Sequence, residues 1–586
     1  MVLILKSFLK NIYAGLYKSM KRFPIAITLS TSCAIILIVH SESKSNLDTL
    51  PRIAAVLALG IPLSLCISLI HERKNTKNKI VYILSYVLGA ISIVIYYFTL
   101  FKSFEMIPMT RYIAISIALY TGFIFIPYLM DRTNFELYVI KISSKFFVTI
   151  IYFGILYAGI AAILFTINKL LGVNIPGKYY YYTFLIIAGT FAPGFFLSEV
   201  PQKDASFEAK DFPNAFKVLL LYIVMPIAAI YLAILYIYFG KVLITRTWPV
   251  GLVSHLVLWY SVICVGIIFF TSPLESNKWV QRFKFWLTKL IIPILAMMFV
   301  SIGIRIKAYG VTENRYYVIT LGIWVLGNII YLNFAKAKRN IIIPISLSII
   351  AILCVFGPLS SFSVSRCSQN KRLDNILLKY DMIKDNKVIS SKASSAKIPE
   401  TDKKEITQIL MYFNNNHGLK YVKCVPPDFK LDHMEDVFGF SPEDYQSPGS
   451  SRTYFAYNMA SLDAPMDIKN YDYLFDFRGP RNQPIESIGD SASLKADYNN
   501  ETSEIKIYNN GKEILNTNIK EFVAKIIEKY PSEKANTINP TDMTFTINND
   551  IADIKLIIYN IYGSLDKFTK EISLDEANFY LLIKTK

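Results

Sequence analysis

Eleven times between residues 23 and 362 the chain runs for about 20 residues with little or no charge, and this feature narrows the possible folds more than any other. The stretch Tyr316 to Phe334 is the cleanest, with 19 residues and no charged side chain. As a helix, such a run crosses a hydrocarbon core of roughly 30 Å. Inside lipid every backbone N–H and C=O must be paired within the segment, so helices are the expected form. The spans are expected at 23–40, 53–70, 80–100, 106–130, 146–167, 179–197, 218–240, 249–271, 287–304, 316–334 and 341–362. Pro226, Pro293 and Pro344 are expected near the first turns of spans, where proline costs least. Pro193-Gly194 is expected to break or kink the sixth span.

The polarity changes after about Val364. Overall, 53% of residues are hydrophobic and mean hydropathy is +0.37, too apolar for several soluble domains. The fold class is therefore an α-helical polytopic membrane bundle, with about 11 transmembrane helices, followed by a soluble α+β domain. Four regions are expected: an amphipathic cytoplasmic N-terminal segment at 1–22, the transmembrane domain at 23–363, a helical and linker region at 364–450, and the α+β domain at 451–586. Residues 2–20 place Leu5, Phe8, Leu9, Ile12 and Leu16 on one helix side, as in a surface-lying helix. Lys21-Arg22 then stop in the cytoplasm, and Tyr179 to Tyr182 suit an interface belt.

Charge is unevenly shared. Residues 1–363 hold 33 Lys and Arg against 12 Asp and Glu, whereas residues 364–586 hold 29 against 32. A nucleic-acid binder concentrates its basic residues on the soluble part; here they lie between apolar runs, so the partner is the lipid bilayer and nucleic acid is excluded. The N-terminus and even-numbered loops carry 21 Lys and Arg, the odd-numbered loops 10. The positive-inside rule places the N-terminus in the cytoplasm, and eleven crossings place the C-terminal domain outside, where an envelope ligand or another membrane protein would be its partner.

In that domain, Leu373, Ile376, Leu377 and Met382 have helical spacing, and Ile406, Ile409, Leu410 and Phe413 mark a second helix ended by Asn414 to Gly418. Asn510-Gly511 between alternating strands predicts a type I′ hairpin. Ile519 to Tyr530 reads as an amphipathic helix through Phe522, Val523, Ile526 and Ile527. Strands are expected at 543–547, 554–559 and 579–583.

Six cysteines show no metal spacing. Cys33, Cys66, Cys264 and Cys354 read as core residues; Cys367 and Cys424 are free to pair in an oxidising compartment. No phosphate-binding Gly-rich loop, Gly-x-Ser-x-Gly or His-Glu-x-x-His occurs. No catalytic residue, metal site or cofactor is assigned. Asp432, Glu435, Asp436, Glu443 and Asp444 read as a solvated acidic face, with a divalent cation as the alternative.

The polar collar before Tyr316 is the strongest candidate site. Thr312 reads as a helix cap and Glu313 as a carboxylate at the positive helix end, with Arg305 or Lys307 as its partner. The competing reading makes Arg305, Thr312, Glu313, Asn314 and Arg315 a polar site at the membrane interface, binding a headgroup or anionic ligand. Ionisable residues in spans are the other hint. Arg111 can snorkel. His255 is the candidate intramembrane polar residue, either on a substrate path or bonded to a neighbouring helix. Asn328 reads as packing glue.

The collar also carries a resemblance. Tyr309-Gly-Val-Thr-Glu-Asn-Arg-Tyr316, Trp248-Pro-Val-Gly-Leu-Val-Ser254, Phe356-Gly-Pro-Leu-Ser-Ser-Phe-Ser-Val-Ser365 and Lys21-Arg-Phe-Pro24 resemble a bacterial membrane protein family, domain-of-unknown-function family 4153. The resemblance implies no chemistry. Three functions follow from these features: a membrane-anchored sensing or binding protein of the cell envelope, a transporter or channel component, or a membrane enzyme acting on lipid-linked substrates with Glu42 and Asp48 in its first loop.

Overall fold

The computed structural model describes residues 14–586 except 44–47, 75–77, 130–133, 203–206, 209–211, 246–251, 335–338, 386, 389–397, 441–451, 461–467, 479–484, 487–493, 501, 531–536 and 567–570. Most of the expected N-terminal surface helix, the Trp248 to Gly251 motif, Glu443 and Asp444 lie outside the described residues. Two compact units result, Met1–Lys387 with Tyr412–Asp428, and Val388–Met411 with Phe429–Lys586.

The first unit is helical. After a helical stretch at 14–22 come α1 Pro24–Glu42, α2 Thr49–Lys74, α3 Lys79–Thr99, α4 Met106–Phe125, α5 Phe135–Leu170, α6 Lys178–Ser198, α7 Asn214–Thr245, α8 Leu252–Thr271, α9 Lys278–Tyr309 and α10 Glu313–Phe334. These ten are long and apolar enough to cross a membrane. Their starts follow from capping: Asn78 accepts from the Ile80 N–H, and Asn277 from the Trp279 N–H, each satisfying a donor that the helix leaves open. The core gathers on Phe135, Ile140, Met225, Cys264, Ile291, Leu295, Val325 and Ile329, all at 1% exposure or less. Large apolar side chains also cover the outside, among them Phe98, Ile155, Ile237 and Phe334, as expected where lipid replaces water.

Polar pairs tie helix ends. Arg22 donates two bonds to the Glu72 carboxylate and further bonds to the Val200 and Pro201 carbonyls. Elsewhere Lys178 and Tyr182 both donate to Glu42, so that acid is held by two side chains, whereas Asp48 is exposed.

Three expectations about the helices change. Of the two expectations for Pro193-Gly194, a break or a kink, the break does not occur: the sixth span is not broken there. It continues through a π turn, Ile187–Phe191, directly before Pro193, and that wider turn accommodates the missing proline N–H. Pro226 and Pro293 lie well inside helices rather than in first turns, because α7 and α9 begin earlier than the apolar runs suggest; a second π turn, Leu219–Val224, precedes Pro226.

The eleventh span is the third change. Only Ile342–Leu353, α11, is helical there, a length of about 18 Å. Gly357, with φ of 79°, and Pro358 turn the chain, and Ser360 caps a polar helix, α12 Ser361–Lys379, by accepting from the Ser363 N–H. Even so, segment 339–361 runs beside α10 from end to end. The Tyr331 hydroxyl accepts from the Arg339 N–H, Trp324 donates to Ser346 midway, and Tyr316 donates to the Leu359 carbonyl at the far end. Tyr316 to Tyr331 is about 22 Å of helix.

The helix α13 Glu400–Asn416 is divided, Met411 grouping with the second unit and Tyr412 with the first. The second unit is α+β. Its larger sheet has the order β2-β10-β9-β1-β7, from Tyr473–Phe477, Ile572–Thr585, Ala552–Asp566, Arg452–Met459 and Thr537–Ile538. Strand β8, Thr544–Asn548, pairs with the first half of β9, and β1 with its second half. The smaller sheet is an antiparallel meander, β3-β4-β5-β6, from Ile485–Glu486, Leu494–Asn499, Glu504–Asn509 and Lys512–Asn518. Its β5–β6 turn has φ of 50° at Asn510 and 80° at Gly511, the left-handed pair that a type I′ turn requires. Helix α14, Ile519–Lys529, buries Ile519, Phe522, Val523 and Ile526, the spacing of one helix face.

Candidate functional site

Helix α9 ends at Tyr309 because Gly310 follows with φ of 68° and ψ of 179°, a backbone region that side chains exclude. Its N–H still donates to the Ile306 carbonyl at 2.8 Å. Helix α12 packs on this turn. A Cβ at position 310 would lie 2.9 Å from Gln369 Nε2 and 3.2 Å from Ser368 Oγ. Ser368 Oγ accepts from the Val311 N–H at 2.9 Å, and Gln369 Nε2 donates to the Tyr309 and Val311 carbonyls.

Cations converge on the same turn. Arg315 donates to the Tyr309 carbonyl at 3.0 Å and the Gly310 carbonyl at 2.7 Å. Arg372 donates to the Tyr309 carbonyl at 3.0 Å, and both guanidinium groups flank the Tyr309 ring. Arg305 and Arg372 are each near enough to act on the charge of Arg315. Among the described residues, neither Arg305 nor Arg315 has a carboxylate partner.

Glu313 is bound elsewhere. Its carboxylate accepts from the Tyr412 hydroxyl, which lies 2.8 and 2.7 Å from its two oxygens, and from His417 Nε2 at 2.8 Å. The carboxylate is 12% exposed and the imidazole 0%. Nε2 therefore carries a proton; the opposite nitrogen, Nδ1, is buried with no partner among the described residues. Burial, then the adjacent carboxylate, push the Tyr412 hydroxyl well above the usual phenol range, so it stays a donor. This corrects the expected pairing of Glu313 with Arg305 or Lys307: the acid reaches across to residues about a hundred positions later. Thr312 stands just before α10, its carbonyl accepting from the Tyr316 N–H, and Asn314 is exposed.

The structure thus brings Arg305, Glu313 and Arg315 together and adds Arg372, Gln369, Ser368, Tyr412 and His417. His417 was visible in sequence only as part of a helix-ending Asn-Asn-Asn-His-Gly run, and nothing local linked it to Glu313. His255 is elsewhere, half-buried in the first turns of α8, and has no hydrogen-bond partner among the described residues. Asn328 donates to the Trp324 carbonyl within its own helix rather than across helices. Arg111 lies over Phe356 and Phe362. Cys367 is exposed and Cys424 buried, and both are free thiols, which removes the expected alternative of a disulfide. Asp432, Glu435 and Asp436 are exposed.

A bundle of long apolar helices with a polar collar, followed by a strand-rich unit, defines a polytopic helical protein of the membrane type. More particularly, the chain belongs to the family described as "Domain of unknown function (DUF4153)", which matches residues 28–387. It is also similar to an uncharacterised protein of Pasteurella multocida (strain Pm70), 23% identical over 380 residues, a match covering 61% of this chain and 63% of that relative. No solved structure matches.

Proposed function

We propose that the chain is a membrane-anchored binding protein of the cell envelope, which takes an anionic group at the collar through Arg305 and Arg315. One observation carries this reading: among the described residues neither Arg305 nor Arg315 has a carboxylate partner, and Glu313, the acid of the collar, is engaged by Tyr412 and His417. Guanidinium forks without carboxylates suit phosphate or carboxylate ligands. The N-terminus is cytoplasmic and the collar faces outward. In support, the basic residues favour the N-terminal side by 21 to 10, and segment 339–361 runs the length of α10, so it counts as an eleventh crossing. Helix α13 would carry the signal, since its last turn holds Glu313.

Pyrophosphate serves as the probe. It is expected to raise the unfolding temperature of the purified chain in neutral detergent, and to lose that effect in Arg305→Gln. Arg315→Lys, which keeps the charge, is expected to retain it. An equal rise in Arg305→Gln would overturn the collar as the binding site.

A further inference from the structure

At the opposite end of α9 and α10 a groove of about 580 Å³ opens between α8, α9 and α10. Its lining includes Lys284, Thr288, Lys289, Ile292, Leu332 and Asn333. Two ammonium groups meet one carboxylate there. Lys284 is used: it donates to Glu275 at 2.5 Å and to Ser272 Oγ at 3.3 Å. Lys289 has no hydrogen-bond or ion-pair partner among the described residues. Its Nζ lies 3.6 Å from the centroid of the Phe285 ring.

The position of Lys289 along α9 matters. The helix has 32 residues, about 48 Å, some 18 Å more than a hydrocarbon core. If the core ends near Ile304, just before Arg305 and Lys307, its other boundary falls roughly 20 residues earlier, near Phe285. Lys289 then sits about one turn inside that boundary, where an ammonium is costly without a counter-charge. Phe285, Trp286, Ile292 and Phe334 are all exposed around it, so this flank faces acyl chains and not a protein core.

We infer that the groove is a binding site for an anionic phospholipid of the leaflet in which α9 begins. The lipid phosphate pairs with Lys289, and an acyl chain runs along Ile292 and Leu332; the Gln281 and Asn333 amides in the same groove each donate one N–H to a backbone carbonyl, of Glu275 and Ile329, which leaves one N–H each for headgroup oxygens. A zwitterionic lipid offers the same phosphate but cancels its charge, so the site discriminates by net charge. Trp286 stands three residues from Lys289, on the same flank, and reports occupancy.

The test is quenching of tryptophan fluorescence of the whole chain in neutral mixed micelles by brominated phosphatidylglycerol, against brominated phosphatidylcholine. Tighter quenching by phosphatidylglycerol is expected. Lys289→Gln is expected to weaken it about fivefold, the change that roughly 1 kcal/mol for one interfacial lysine produces. Lys289→Arg is expected to restore it, and Lys241→Gln, a lysine on α7 outside the groove, to leave it unchanged. Equal quenching by the two lipids overturns the inference. So does Lys289→Gln behaving as wild type, or Lys241→Gln weakening binding as much as Lys289→Gln. If Lys289→Gln does not fold, the two-lipid comparison in wild type and Lys289→Arg still decides.

Discussion

Tyr412→Phe is the sharpest perturbation of the collar. It removes one oxygen and keeps the ring, so packing against Phe413 and His417 is preserved. What is lost is a donor to both oxygens of a carboxylate that is 12% exposed. A hydrogen bond to a charged group contributes about 1.5–3 kcal/mol, and the cost here falls toward the lower half of that range, because His417 still donates to Glu313 at 2.8 Å. Read as local opening, about 1.5–2 kcal/mol is roughly a ten- to thirtyfold faster amide exchange. The assay is hydrogen–deuterium exchange with mass spectrometry on the chain in nanodiscs, following the peptide over residues 412–418. Glu313→Gln, and the double variant, complete a cycle in which the two changes are expected to be less than additive by about 1 kcal/mol. Unchanged exchange in Tyr412→Phe, or strict additivity with Glu313→Gln, would refute the claim that this bond fastens the end of α13.

Three further outcomes follow from the same geometry. Gly310→Ala is expected to lower stability by about 1–3 kcal/mol, because φ there is 68° and Gln369 and Ser368 fill the Cβ position; a thermal midpoint equal to wild type would contradict it. In intact cells a membrane-impermeant maleimide is expected to label the exposed Cys367 but not the buried Cys424, whose thiol is pushed up to about 12 by burial, which disfavours the reactive thiolate; labelling of Cys367 only after lysis would reverse the proposed orientation. In the strand-rich unit, hydrogen bonds from Lys529 and Tyr530 hold the Asp542 carboxyl below its ordinary range. Its folded form therefore binds a proton less readily than its unfolded form, so the stabilisation is present above the ordinary carboxylate range and is lost as pH falls through the lowered value. Asp542→Asn should accordingly destabilise at pH 7 and match wild type in strong acid, and a pH-independent difference in urea midpoints would count against this.

Local chemistry made much of the fold legible. Apolar runs gave the helices, because lipid and protein interiors both demand paired backbones. Asn510-Gly511 gave its turn, and the spacing of Phe522, Val523 and Ile526 gave α14. Helix ends were less legible: α7 and α9 extend past their apolar runs into polar turns such as Lys278 to Lys284, where caps and not hydropathy decide. The eleventh span was misread at its end for a related reason. Residues 354–362 are apolar enough to continue a helix, but Gly357-Pro358 stops it and Ser360 starts another.

The collar shows why a site can be half visible. Arg305, Glu313 and Arg315 were found because they cluster in sequence, but their partners were assigned by the nearest opposite charge, and that rule failed. Helix ends supply a better one. The last carbonyls of α9 carry partial negative charge and lack helical partners, so Arg315 donates to the Tyr309 and Gly310 carbonyls and Arg372 to that of Tyr309. The start of α10 carries the opposite partial charge, which favours Glu313 at the first position of that helix. The backbone dipoles therefore match the contacts: guanidinium groups meet the carbonyls at the end of α9, Arg315 reaching back from α10 to do so, and the carboxylate stands at the first position of α10. Glu313 is left to Tyr412 and His417, and the Arg315 guanidinium is held by backbone carbonyls, with no carboxylate partner among the described residues. On the proposed reading, an anion that pairs with Arg305 and Arg315 displaces no carboxylate of the described residues from either.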